Sequence, residues 1–416
     1  MNKFNFDTNK VILENGLEVI TVKKNTQLAS VNLGIKIGAL YENNSERGIS
    51  HFIEHMLFKG TKNRDNEKLN NMLENLGGEY NAYTDYTATV YSITCLEEEI
   101  KNGIDILSDM IINSNFPKDE IEKERGVILS EIKSSKDDVE DLSFKRIHEF
   151  AFEKSNLRYE IGGTEKSVSS FKREDLVKFY NKFYKPDNAI LTFVSCLDHE
   201  EAVQLIKDNF SGWSGQAEKR TDCILEKNNP KKVTTYKGHI EQSTILYLYT
   251  FYEIEREQEL AFKILNHKFG ESSNSILFRE LRENRGLAYD VYTHMDMTSN
   301  IKTLYIFTAV SDENVEEALE CIDECIEKIK NEEIIFDEHT LSLMKKVHKT
   351  AVVSTLEDSS EIGNYVLNQR LEDQDIKEFI RDMKDLDKIS SKDIYEVGRK
   401  ILNNPTIHIL KPIKED

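Results

Sequence analysis

The chain has 416 residues, 39% of them hydrophobic, and 75 acidic against 55 basic side chains give a formal charge of −20. That length holds two or three domains with sizeable cores, while 18 Gly and 5 Pro exclude collagen-like and Pro-rich disordered chains. No run approaches the roughly 18 apolar residues that cross a bilayer, and the acidic balance would repel a polyanion, so neither a membrane nor a nucleic acid is an expected partner.

In chain order, Lys10 to Val22 reads as a β-hairpin, with β-branched and apolar runs flanking Asn15-Gly16, a type I′ turn signal. A strand over 30–37 precedes the polar loop Glu42 to Glu46, and helical patterns come next over 48–59, 66–76, 97–113 and 118–136. A further α-rich stretch, 138–182, leads to a closing strand at Asn188 to Ser195. From Ser214 to Lys232 the chain is polar, without helical or strand period, and contains Gly215 and Pro230, as a linker does. The second half of the chain echoes the first. Asp119 of Phe116-Pro117-Lys118-Asp119-Glu120 and Asp337 of Phe336-Asp337-Glu338 are 218 apart, and so are Asp175 and Asp393 before the last strand of each half. One offset shared by separate elements implies duplication of an α+β unit, and the order of hairpins and helix pairs argues against a parallel βαβ sheet. The expected organisation is an N-terminal α+β domain at 1–213, a linker at 214–232 and a C-terminal α+β domain at 233–416.

Five cysteines, Cys95, Cys196, Cys223, Cys321 and Cys325, are few, odd in number and scattered, and the first residues, Met1 to Asp7, lack the apolar core of a secretion signal. Both point to a cytoplasmic protein. Cys321 and Cys325 fall at i, i+4 on an amphipathic helix and read as small core residues.

The segment most informative about chemistry is His51-Phe52-Ile53-Glu54-His55. On a helix, His51 and His55 project from one face, so two imidazole nitrogens reach one Zn²⁺ at about 2.0–2.1 Å. Glu54 is placed to sit beside water activated by that metal. A third protein ligand is required, and Asp119 to Ile132 offers Glu124 and Glu131, two helical turns apart on one face with Val127 and Ile128 between them. Spacing alone leaves both open as the ligand, or as solvated carboxylates.

His51-Phe52-Ile53-Glu54-His55 with Glu131 further on resembles the inverted zinc motif, H-x-x-E-H, of the pitrilysin family of metallopeptidases, the inverzincins. The surroundings resemble it too: Gly48-Ile49-Ser50 before the motif, Phe58-Lys59-Gly60-Thr61 after it, Asn81-Ala82-Tyr83-Thr84, and Glu124-Arg125-Gly126 leading to Glu131. The resemblance implies one Zn²⁺ per chain held by His51, His55 and Glu131, Glu54 as general base, and Glu124 orienting a ligand. In Phe278 to Tyr289, Arg282 and Tyr289 match the family's Arg and Tyr that contact substrate and stabilise the tetrahedral intermediate; taken alone, the segment reads as a solvated basic helix end. Asn81, Ala82 and Tyr83 match the edge strand to which a peptide substrate adds. The segment Phe269 to Ser275 departs from the family's pattern, with one glycine where a glycine-rich stretch is usual, and the second half contains no H-x-x-E-H.

The implied fold is two homologous α+β domains, each an antiparallel sheet packed with helices, making half of a clamshell chamber, as in the short members exemplified by mitochondrial processing peptidase subunits. Because the zinc motif and the Arg–Tyr pair occur on one chain, a homodimer with two composite sites is expected. The implied activity is hydrolysis of short unfolded peptides or of precursor and leader peptides. The alternative is a non-catalytic structural or partner subunit of the same fold.

Overall fold

The computed structural model describes residues 6–413. Its first half runs β1 (Asp7–Ile12), β2 (Glu18–Lys23), β3 (Leu28–Ile35), α1 (Ile49–Leu57), α2 (Asn66–Asn75), β4 (Glu79–Thr84), β5 (Thr89–Leu96), α3 (Ile100–Asn113), α4 (Lys118–Asp137), α5 (Val139–Ala151), α6 (Glu165–Ser170), α7 (Arg173–Phe183), β6 (Ala189–Ser195) and α8 (His199–Phe210). Residues 213–230 form neither helix nor strand. The second half runs β7 (Lys231–Lys237), β8 (Ser243–Thr250), α9 (Arg256–Asn266), β9 (Ala288–Met297), β10 (Lys302–Val310), α10 (Val315–Lys330), α11 (Glu338–Glu357), α12 (Ser359–Leu371), α13 (Glu378–Asp385), α14 (Ser391–Ile401) and β11 (Thr406–Pro412).

The first sheet has the order β1-β2-β6-β3-β5-β4 and the second β7-β11-β8-β10-β9. Apart from β1 the two orders coincide strand for strand, and so do the directions: β2 with β6 and β7 with β11 are parallel, and every other pair is antiparallel. The duplication inferred from the shared offset is therefore present in the topology. Each sheet carries one parallel pair within its antiparallel frame, because the last strand of each half returns through a long helical crossover to lie beside β2 in the first sheet and β7 in the second.

The compact units are not contiguous in sequence. One comprises Met1–Lys133, Tyr159–Cys223 and Val353–Glu378; the other comprises Ser134–Arg158, Ile224–Val352 and Phe379–Asp416. This differs from the contiguous halves 1–213 and 233–416, and the reason is an exchange of equivalent helices. Helix α12 packs on β3 and β6 of the first sheet, where Ile362, Val366 and Leu367 bury against Ile20, Val22, Val90, Ile190 and Val194. Its counterpart α5 packs on β8 and β11 of the second sheet, with Phe144 against Tyr305 and Phe307 at ring distances of 5.3 and 6.2 Å. Close approach of α12 depends on Gly363, where a Cβ would lie 2.1 Å from the Asn32 side-chain nitrogen.

The β1–β2 hairpin is present, with its turn changed. Gly16 takes a left-handed φ of 98°, but Asn15 does not, so the connection is a turn closed by Gly16 N–H donating to Leu13 O (2.9 Å) rather than a type I′ turn. The Asn15 side chain is used elsewhere: its amide donates to the carbonyls of Phe210 and Trp213 at 2.8 and 2.9 Å.

Candidate metal centre

Helix α1 is amphipathic and turns Phe52, Ile53, Met56 and Leu57 into the core, which fixes its rotation and leaves His51 and His55 on its open side. Its first turn is set by a residue whose sequence context is a polar loop. Glu42, 1% exposed, accepts the N–H groups of Gly48 (2.8 Å) and Ser50 (2.9 Å), so a carboxylate satisfies two orphan donors of the helix start. Burial pushes Glu42 up to about 7 against the opposing pull of those backbone N–H groups. Gly48 is left-handed (φ 87°), and a Cβ there would lie 2.5 Å from the Gly162 carbonyl, so the motif's leading glycine is needed for both conformation and space.

The ligand atoms of His51, His55 and Glu131 lie within 4.8 Å of one another. Glu131 Oε2 is 3.6 Å from His55 Nε2 and 4.0 Å from His51 Nε2. A tetrahedral ion with bonds of about 2.0–2.1 Å separates its ligand atoms by roughly 3.4 Å, so two imidazoles and a carboxylate here fit zinc in kind and spacing. The second nitrogen of His55 is committed: Nδ1 is 3.0 Å from Glu124 Oε2, which leaves Nε2 for an ion. Glu124 is itself held through Oε1 by Lys59 Nζ at 2.8 Å. Of the two open candidates, Glu131 thus joins the histidine cluster and Glu124 stands behind it.

Electrostatics separate the two histidines. Burial, aided by the charge of His55, pulls His51 down to about 4, so it is neutral and ready to ligate at physiological pH. Burial also lowers His55, but the hydrogen bond to Glu124 and the charges of Glu131 and Glu54 outweigh it and hold His55 above its ordinary value. Burial raises Glu124 less than His55 and Lys59 lower it, so its carboxylate stays ionised. Glu54 goes the other way: burial lifts it despite the Thr84 hydroxyl, which donates to Oε2 at 2.6 Å. A carboxylate so placed is a stronger base than a solvated one.

Thr84 ends β4, the edge strand of the first sheet. Asn81 and Ala82 lie on that edge, Asn81 exposed and Ala82 half-buried. Tyr83 presents only its backbone there. Its ring packs into the cluster under α12, its hydroxyl meets the Asn368 side chain, and burial pushes its pKa up to about 12. Arg282 and Tyr289 belong to the second unit and are brought together within it. The Arg282 guanidinium lies 4.9 Å from the ring centroids of both Phe278 and Tyr289 and donates to Tyr289 O at 3.0 Å. The segment that carries Arg282, Phe278–Asn284, is a π-helical turn rather than a plain helix end, and Tyr289 is 75% exposed. The one glycine of the preceding segment, Gly270, sits where a Cβ would lie 2.3 Å from Thr293 of β9. Cys321 and Cys325 are core residues of α10, 1% and 2% exposed.

A family model described as "Insulinase (Peptidase family M16)" matches residues 18–165, and one described as "Peptidase M16 inactive domain" matches residues 170–346. A protein of Rickettsia bellii described as an "Uncharacterized zinc protease" is 33% identical over 404 residues, 94% of each chain. The beta subunit of the mitochondrial-processing peptidase of Dictyostelium discoideum is 35% identical over 213 residues, 50% of this chain and 45% of that one. Among solved structures, a protease from Helicobacter pylori superposes with a TM-score of 0.91 at 22% identity, covering 98% of this chain and all of that one. The fold and the grouping of His51, His55 and Glu131 match a two-domain scaffold of the kind found in zinc peptidases of this type. The chain belongs to the M16 peptidase family, the pitrilysin-type group whose inverted zinc motif it carries.

Proposed function

We propose that this protein is a zinc-dependent endopeptidase that hydrolyses short unfolded peptides, or precursor and leader peptides, inside a chamber formed by a homodimer. The observation that carries this reading is the convergence of His51, His55 and Glu131 with Glu54 held beside them by Thr84. Among the described residues this is the one such cluster, which supports one zinc per chain. Zinc, when bound, supplies a Lewis acid that polarises a carbonyl and acidifies water to a pKa near 7.

The protein's own groups do the rest. Thr84 occupies Glu54 Oε2, so Oε1 is the atom that takes a proton from the attacking water and returns it to the leaving amine. Asn81, Ala82 and Tyr83 offer the open backbone edge of β4, to which an extended peptide adds as a strand. Arg282 and Tyr289 donate to the developing oxyanion, each contributing about 2.7–4 kcal/mol as such donors do in other proteases. Replacing Glu54 by Gln keeps the ligands and removes the base; cleavage of quenched-fluorescent peptides of about ten residues is expected to fall roughly 10²–10⁴-fold with zinc content unchanged. A variant that cleaves as fast as wild type would remove Glu54 as the base, and a wild-type chain that neither cleaves nor binds zinc would favour a non-catalytic subunit of this fold.

The composite site is part of the proposal: the zinc motif of one subunit works with Arg282 and Tyr289 of the other. The exposed, pre-ordered Arg282–Tyr289 pair supports it. Mixing Glu54→Gln chains with Arg282→Ala chains is expected to restore activity on subunit exchange, and failure to do so despite mixed dimers would remove the trans arrangement. The five cysteines are unpaired, which supports a reducing, cytoplasmic location. Among the described residues, no helix is long and apolar enough to cross a membrane.

A further inference from the structure

Behind the metal cluster lies a second, ordered set of charges. Lys59 comes four residues after His55, just past the end of α1, and so falls on the same side as that histidine. Its ammonium is 2.8 Å from Glu124 Oε1, while Glu124 Oε2 is 3.0 Å from His55 Nδ1. Glu124 is 8% exposed at its side chain and Lys59 25%, so the pair is largely shielded from water and its geometry is not that of two solvated surface charges. Each carboxylate oxygen therefore has one partner, and turning Glu124 away from His55 would also break its bond to Lys59.

We infer that Lys59 is a positioning residue for the metal centre: by fixing Glu124, it fixes the ring orientation and tautomer of His55. The inference rests on the zinc reading above. The tautomer matters because Nε2 can ligate only while Nδ1 keeps the proton, and that proton is what the Glu124 carboxylate accepts. Charge matters too. Two neutral imidazoles, the carboxylates of Glu131, Glu54 and Glu124, a divalent cation and Lys59 sum to zero; without Lys59 the group carries an uncompensated negative charge. A lysine here thus lets a second carboxylate stand behind a ligand already facing Glu131 and Glu54.

The test uses the full chain, with zinc affinity measured by competition against a chromophoric chelator and the Co²⁺-substituted protein examined by visible absorption. Lys59→Met is expected to weaken zinc binding about tenfold and to shift the Co²⁺ ligand-field bands, with the melting temperature of the metal-free protein within about two degrees of wild type. Lys59→Arg, which keeps the charge and the donors, is expected to restore both readouts. In a Glu124→Gln background, Lys59→Met is expected to add nothing further, because the partner through which it acts is gone. Unchanged affinity and spectrum in Lys59→Met, or a full additional loss in the Glu124→Gln background, would overturn the inference and leave the zinc reading intact. A wild-type chain that binds no zinc would overturn both.

Discussion

At the scale of single residues, Glu42 sets more of the metal helix than its neighbours in sequence suggest. Both of its oxygens accept backbone N–H groups at the start of α1, one turn before His51. Glu42→Gln turns one acceptor into a donor aimed at an N–H group, and is expected to cost about 1.5–3 kcal/mol of stability by thermal unfolding and to weaken zinc binding. A variant with wild-type stability and affinity would show that the core face of α1 alone positions the helix. This cap is hidden in the sequence: N-caps are normally Ser, Thr, Asp or Asn next to the helix, whereas Glu42 reaches it from six residues before Gly48. His51, Glu54 and His55 were legible because their relation is local, fixed by the helix period alone. Choosing Glu131 over Glu124 needed either the family resemblance or the structure, since both share one helix face.

At the scale of elements, the loop leaving α1 is pinned by Asp109 of α3. This carboxylate, 4% exposed, accepts from Thr61 Oγ1 at 2.6 Å, from the Asn63 amide at 2.5 Å, from Asn113 at 2.8 Å and from Arg64 at 2.5 Å. Burial raises its pKa, but these donors outweigh burial and hold it below the ordinary value of 3.8. A depressed folded-state pKa contributes stability that is present above the ordinary value and lost as pH falls through the folded one. Asp109→Asn is therefore expected to lower the melting temperature at pH 7, and the gap from wild type is expected to narrow below about pH 3.8. A gap constant from neutral pH down to about pH 2.5 would contradict this. The β1–β2 turn gives the matching lesson about local signals. Asn-Gly marked the hairpin correctly, yet two carbonyls far along the chain, those of Phe210 and Trp213, claim the Asn15 side chain, and Asn15 keeps an ordinary φ.

For the whole molecule, the duplication was legible as a shared spacing of 218, and the strand orders of the two sheets bear it out. The exchange of α5 and α12 was not legible. Each helix has an apolar face that fits either of two equivalent sheets, and periodicity does not say which sheet it covers. The exchange has an energetic consequence: Ile20, Val22, Ile190 and Val194 of the first sheet are covered by residues that arrive only at 362–367. Burying side chains of this kind contributes about 1.5–3 kcal/mol each, so the core of the first sheet is completed only by a late segment of the chain. The central claim, that this duplicated scaffold is a metallopeptidase, is tested most directly by incubating the purified protein with quenched-fluorescent peptides of about ten residues, with and without a zinc chelator. Cleavage that the chelator abolishes and added zinc restores is the expected result. Cleavage untouched by the chelator, or a chain that neither binds zinc nor cleaves any peptide, would contradict it, whereas no cleavage from protein carrying one zinc per chain would point to a dedicated precursor.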